Sequence, residues 1–162
     1  MEINLEDRQI VTEIVNNYSD MIMRIAYQNV NNYQESEDIM QEVFLSLLKK
    51  STFKDPEHLK AWLIRVTLNK CRDYLRSKRN RHIPLDEVQN CLFTPDQHKT
   101  LEELYELPEI DRNIIYLHYY EGYTAAEIGK ILKKSENSIF LRLTRARQKL
   151  KHILEKEESE NE

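Results

Sequence analysis

The chain has 162 residues, 40% of them apolar and 32% charged, with a formal net charge of -4. That length suits one domain or two small ones, and a content of only two Gly and four Pro favours helix throughout. No apolar run reaches the roughly eighteen residues of a membrane-spanning helix, and the opening MEINLEDRQIV lacks the basic and apolar regions of a secretory signal, so a cytoplasmic protein without membrane insertion is expected.

Residues 9–31 place Ile10, Ile14, Tyr18, Met21, Ile22, Ile25 and Ala26 at three- and four-residue spacing, which predicts an amphipathic helix interrupted at most near Asn16-Asn17. After the polar break at Asn31-Asn32, Ser36 with Glu37 and Asp38 opens a second helix, its acids at the positive end of the dipole. Ile39, Val43, Phe44, Leu47 and Leu48 form its apolar arc, and Asp38, Gln41 and Glu42 occupy the other side. Taken alone, those three read as a solvated face.

Thr52 to Pro56 reads as a turn, with Pro56 at the first position of a helix that runs to about Arg79. Trp62, Arg65, Asn69, Arg72, Arg76 and Arg79 fall on one face of that helix. Leu59, Leu63 and Val66 line one side of it, and Ile64, Leu68 and Leu75 the other. An aromatic ring to stack on, an amide for base edges and guanidinium groups for phosphates together suit unpaired nucleic acid. The wheel leaves open whether Trp62 is such a platform or simply core.

Residues 81–97 lose helical periodicity and contain Pro84 and Pro95, so they read as a linker between domains. Its apolar members Ile83, Leu85, Val88, Leu92 and Phe93 are too many for a purely solvated tether. Helix formers resume near His98, and a further helix starts at Pro108 and ends at Gly122. Tyr116, Tyr119, Tyr120 and Tyr123 read as core and interface packing rather than catalytic acids.

Thr124 followed by Glu127 is a capping-box start, and Ile128, Ile131 and Leu132 give the short helix after it one apolar face. A polar break at residues 133–136 follows, and Ser135 or Asn137 can cap a second helix. Ile139, Leu143, Ala146 and Leu150 form the buried stripe of that second helix. Asn137, Leu141, Thr144, Arg145 and Gln148 lie opposite, flanked by Ser138 and Arg142. This is a helix-turn-helix pattern, whose second helix fits the major groove of B-DNA; a solvated basic helix is the plainer alternative. The tail EKEESENE is acidic and expected to fray.

Charge supports two contacts with nucleic acid. Residues 60–82 carry net +7 and residues 130–152 net +7, while residues 1–59, 83–129 and 153–162 carry -6, -8 and -4. Screening beyond about 8 Å at physiological salt lets a phosphate feel the local block more than distant acids. Cys71 and Cys91 have no zinc spacing, and His58, His82, His98, His118 and His152 are scattered singly, so no metal or cofactor is expected. No phosphate loop, nucleophile–base pair or apolar carboxylate pair points to an enzyme, and no catalytic residue is expected.

Three stretches in this order carry a resemblance: SEDIMQEVFLSLLKK, LKAWLIRVTLNKCRDYLRSKRNR, and LPEIDRNIIYLHYYEGYTAAEIGKILKKSENSIFLRLTRARQKL. The chain resembles an extracytoplasmic-function sigma factor of the sigma-70 family over roughly residues 9–154. The resemblance implies an all-α fold of two small domains: a region 2-like helical bundle at 8–80 and a region 4-like helix-turn-helix at 98–154. Residues 81–97 join them, and 155–162 form an acidic tail.

It also implies that Asp38, Gln41 and Glu42 meet the bacterial RNA polymerase core. Trp62, Arg65, Asn69, Arg72 and Arg76 would hold the melted -10 strand, with Asn69 near a flipped base. Asn137, Ser138, Leu141, Arg142, Thr144, Arg145 and Gln148 would read the -35 duplex. An anti-sigma factor is the further partner implied. Ser138 and Ile139 take the places of the usual Thr-Val, and Arg142, Arg145, Arg147 and Lys149 match the basic end of the motif. Phe140 and Leu141 depart from the pattern, standing where the family usually has Lys or Arg and a small polar residue. On the wheel Phe140 sits at the margin of the packed stripe and Leu141 points outward. A stand-alone helix-turn-helix regulator is the alternative, though it leaves the Trp62–Arg76 face without a purpose.

Overall fold

The computed structural model describes residues 2–81 and 106–160. The chain divides into two compact units, residues 1–92 and 93–162. Most of the expected linker, and the helix expected from His98, lie outside the described residues.

In the first unit, Asp7 caps α1 (Arg8–Val30), its carboxylate accepting from the Gln9 N–H at 2.9 Å. The helix runs through Asn16-Asn17 without a break and ends at Asn31, which adopts φ 53°, a left-handed conformation that Asn tolerates well. α2 (Tyr33–Leu47) begins one turn earlier than expected. Asn32, not Ser36, is its cap and accepts from the Glu35 N–H at 3.0 Å. Ser36 instead lies buried in the first turn, its hydroxyl donating to the Asn32 carbonyl at 2.7 Å.

The residues after α2, expected to form only a turn, include an addition to the all-helical plan. β1 (Ile3–Asn4) pairs antiparallel with β2 (Thr52–Phe53), in the register Ile3↔Phe53 and Asn4↔Thr52. Strands this short carry no periodicity that a sequence could show. Asp55 then caps α3 (Pro56–Arg81) by accepting from the His58 N–H at 2.7 Å.

The three helices pack against one another around Ile14, Met21, Ile22 and Ile25 of α1, Ile39, Val43 and Leu47 of α2, and Leu59, Leu63, Ile64 and Leu68 of α3. Phe53 and Leu5 close one end of that core. One polar side chain is out of keeping with it. Gln28 is 1% exposed, and neither its amide nitrogen nor its amide oxygen has a hydrogen-bond partner among the described residues. An unpaired buried amide costs about 1–3 kcal/mol. Gln28→Met, similar in volume and without the polar atoms, is therefore expected to stabilise this unit by about 1 kcal/mol. Hydrogen exchange of α1 amides reads the effect, and slower exchange is the expected sign.

The second unit contains α4 (Glu109–Tyr119), α5 (Ala125–Leu132) and α6 (Glu136–Glu160). Gly122 takes φ 75° in the turn after α4, which a side chain would strain. Thr124 caps α5, its hydroxyl accepting from the Glu127 N–H at 3.2 Å, and Ser135 caps α6, accepting from the Ser138 N–H at 3.1 Å. Between them Lys133 turns left-handed at φ 57°. Ile114, Ile115 and Leu117 of α4, Ile128 and Ile131 of α5, and Ile139, Leu143, Ala146 and Ile153 of α6 form the core.

Of the tyrosines expected in core and interface packing, Tyr116 is fully buried, its hydroxyl donating to Glu121 at 2.8 Å, while Tyr119 and Tyr120 are exposed and Tyr120 stacks on Tyr116. Two expectations change here. Leu150 is only partly covered. The acidic tail is helical rather than frayed as far as Glu160, where α6 ends, with Lys151 and Glu155 paired at 4.0 Å. No helix among the described residues is long and apolar enough to cross a membrane.

Candidate nucleic-acid interface

The cationic face of α3 grades from half-buried to open. Trp62 and Arg65 are half-buried, whereas Asn69, Arg72 and Arg76 are exposed on successive turns. Trp62 is thus neither plain core nor a free platform. Its ring meets Phe53 edge-on, with centroids 5.3 Å apart and planes at 60°, and Lys50 lies over it at 5.9 Å. Phe53 in turn is held by the β1–β2 ladder and meets His58 edge-on at 5.4 Å. Such aromatic pairs contribute about 0.5–1.5 kcal/mol beyond burial and fix ring orientation.

Neither Phe53 nor Lys50 stood out in the sequence, because their role depends on a two-residue strand pairing. Arg65 is half-buried, its Nε enclosed without a hydrogen-bond partner among the described residues. Two residues beyond Arg72 on α3, Tyr74 lies under Lys78 at 5.8 Å. Burial, and then the Glu35 carboxylate, raise the Tyr74 phenol above its ordinary value, so it stays neutral at physiological pH.

On α2, Asp38, Gln41 and Glu42 are all exposed. Glu42 is tied to Lys70 of α3 at 3.7 Å, an ion pair worth about 0–1 kcal/mol at such exposure. The same stripe continues into Leu45 and Leu48, each 60% exposed. Leu48 was expected on the buried arc. Instead it caps the end of the helix, where the chain turns away and leaves its side chain uncovered. The resulting patch is acidic at one end and apolar at the other, a composition suited to a protein partner. At its start, Tyr33 bonds Glu37, and that bond and the nearby charge raise the phenol's pKa.

On α6, Asn137, Leu141, Arg145 and Gln148 are exposed, while Ser138, Arg142 and Thr144 are partly covered. Asn137, Leu141, Thr144, Arg145 and Gln148 line the side opposite Ile139, Leu143 and Ala146, and Ser138 and Arg142 lie on its flank. Phe140 is a correction: it is 59% exposed, not at a packed margin, and with Leu141 at 48% it puts two large apolar side chains beside the polar residues expected to face DNA. Thymine methyls are the apolar features of a major groove. If Leu141 meets a thymine methyl of the -35 element, as the resemblance implies, Leu141→Ser shifts the preferred base there, as read by transcription from a promoter library randomised over that element. An unchanged preference would contradict it.

Arg147 of α6 is engaged by side chains of α4. Its guanidinium lies over the Tyr119 ring at 5.4 Å, and its Nη2 is 3.2 Å from His118 Nε2. His118 Nδ1 is 2.8 Å from the Tyr123 carbonyl. A carbonyl only accepts, so the imidazole proton sits on Nδ1 and leaves Nε2 to accept from Arg147. Arg147 therefore ties α6 to α4.

Residues 14–81 match sigma-70 region 2, and residues 98–150 match sigma-70 region 4. The chain is 30% identical over 155 residues to the RNA polymerase sigma factor SigV of Bacillus subtilis strain 168, covering 92% of this chain and 93% of SigV. It is 25% identical to the ECF RNA polymerase sigma factor SigW of the same strain, over 91% of this chain and 90% of SigW. Against a probable RNA polymerase sigma factor, RfaY of Xanthomonas campestris, it is 28% identical and spans only 41% of that longer protein.

Among solved structures, the sigma factor RpoE from Bartonella quintana, crystallised with the anti-sigma factor NepR, superposes with a TM-score of 0.72 at 19% identity. That alignment covers 89% of this chain and 96% of RpoE, and at such identity it speaks for the all-α fold alone. Matches to both regions set aside the stand-alone regulator, which explained only the second. The chain belongs to the sigma-70 family, as an RNA polymerase sigma factor of the extracytoplasmic-function class.

Proposed function

We propose that residues 8–80 form the domain that binds core polymerase and the opened -10 strand, and that residues 98–154 form the domain that grips the -35 duplex. Residues 81–97 span the two. Asp38, Gln41 and Glu42, extended by Leu45 and Leu48, supply the polymerase-facing patch. Trp62, Arg65, Asn69, Arg72 and Arg76 hold the unpaired strand by stacking, base-edge bonds and phosphate contacts. Asn137, Ser138, Leu141, Arg142, Thr144, Arg145 and Gln148 face the major groove.

The observation that carries this reading is the graded face of α3. A braced, half-buried Trp62 is followed on the same side by an exposed amide and two exposed guanidinium groups. The action is non-covalent and takes place in the cytoplasm; the protein is not itself an enzyme. An anti-sigma factor, the kind of partner seen on RpoE, covers one or both DNA-facing surfaces when the protein is held inactive.

Footprinting of the holoenzyme on a promoter it transcribes tests the assignment. Protection of the -35 duplex together with permanganate-reactive thymines at -10 is expected. In that assay Arg145→Ala weakens -35 protection by roughly 1–3 kcal/mol and relaxes preference at one position if Arg145 reads a base. Equal weakening on all sequences assigns it to phosphate instead.

A further inference from the structure

Asp111 lies in the first turn of α4, thirty-one residues before the arginine it meets. Its Oδ1 accepts from Arg142 Nη1 at 3.2 Å. The Asp111 side chain is 16% exposed and that of Arg142 39%, so the carboxylate is largely covered while the guanidinium remains open on its outer side. Both border a concave surface of about 460 Å³ at the start of α6, shared with Ser135, Asn137, Leu141 and Arg145. A bare carboxylate here would repel a phosphate backbone. Covered by Arg142, it is neutralised and serves as a fixed acceptor.

An arginine side chain carries about 2 kcal/mol of rotamer entropy that binding must overcome, and its planar fork reads a base or phosphate only when correctly aimed. The contact with Asp111 engages one of the five guanidinium N–H donors and leaves the others unspent. The pair itself carries no net charge, so Arg142 adds less non-specific attraction for duplex than an unpaired arginine would.

We propose that Asp111 is a positioning residue for -35 recognition: it fixes the Arg142 guanidinium in one orientation before DNA binds and so sharpens base preference. This rests on the assignment of α6 to the -35 duplex. The geometry specifies a role for a scaffold residue outside the DNA-reading helix.

The test uses holoenzyme, reconstituted from core polymerase and the full chain, transcribing a promoter library randomised over the -35 element. Asp111→Asn keeps the shape of the side chain and removes its charge. It is expected to lower preference at one base pair by three- to tenfold while total output from the pooled library is retained. In an Arg142→Ala background the same substitution is expected to change preference less than twofold, because the residue to be aimed is gone.

Unchanged or sharpened preference in Asp111→Asn would overturn the proposal, the latter showing that the carboxylate competes with DNA for Arg142. An equal loss in both backgrounds would overturn it in favour of general support of the fold. Wild-type holoenzyme indifferent to the -35 bases would overturn the assignment of α6 itself, and the two failures are therefore distinguishable.

Discussion

Trp62→Ala is expected to reduce open-complex formation by ten- to a hundredfold while leaving binding to core polymerase intact. Two contributions are lost at once. Stacking of one unpaired base on an aromatic ring is worth about 1–3 kcal/mol. The Phe53 brace, with centroids 5.3 Å apart, holds the ring in place. Since each 1.4 kcal/mol is about tenfold, the stacking loss alone gives roughly five- to 150-fold. Permanganate reactivity of thymines in the -10 element measures strand opening directly. Trp62→Phe retains a stacking face and should recover much of the loss. If Trp62→Ala opened promoters as well as the wild type, the ring would be core packing and the α3 assignment would have to be redrawn.

The second large effect is on stability. Gly129 sits near the end of α5, where an added Cβ would lie 2.6 Å from the Lys134 carbonyl oxygen, well inside any tolerated contact. The obstruction is backbone, so no side-chain rotation can relieve it. The crossing is fixed on the other side by the Lys134 N–H donating to the Gly129 carbonyl at 2.8 Å. Gly129→Ala therefore has to open the turn between α5 and α6, at a cost of about 1–3 kcal/mol.

A unit this small has a total stability of only a few kcal/mol. The variant is expected to lose protection of α5 and α6 amides in hydrogen exchange, and with it -35 recognition. An undiminished exchange pattern would show that the turn relaxes without loss. Gly122→Ala is the matched control: its Cβ would meet nothing within 4 Å, and only the strain at φ 75° is added.

Local chemistry was legible in the sequence where one residue decides it. The Thr124 cap, the left-handed Gly122 and the start of α3 at Pro56 each follow from side-chain type within a few positions, and Ser135 is one of the two caps that side-chain type allowed for α6. The cationic face of α3 was legible because helical periodicity alone places those side chains.

What failed to show depended on contacts across the fold. Phe140 fell at the margin of the packed stripe on a wheel, yet it is 59% exposed. Asn32 and Ser36 are both competent caps by type. The choice between them is settled by Ser36 being drawn into the core. Asp111 and Gly129 gain their importance from groups brought close only by the packing of α4, α5 and α6. Phe53 depends on a pairing with residues some fifty positions earlier.

The central claim is that two cationic surfaces, one for opened strands and one for intact duplex, act together to begin RNA synthesis. Run-off transcription with bacterial core polymerase and genomic fragments, with and without this protein, tests it most directly. Discrete start sites that appear only when the protein is added, each preceded by a shared pair of sequence elements, are the predicted result. Core polymerase that neither binds the protein nor initiates at any fragment in its presence would contradict the account.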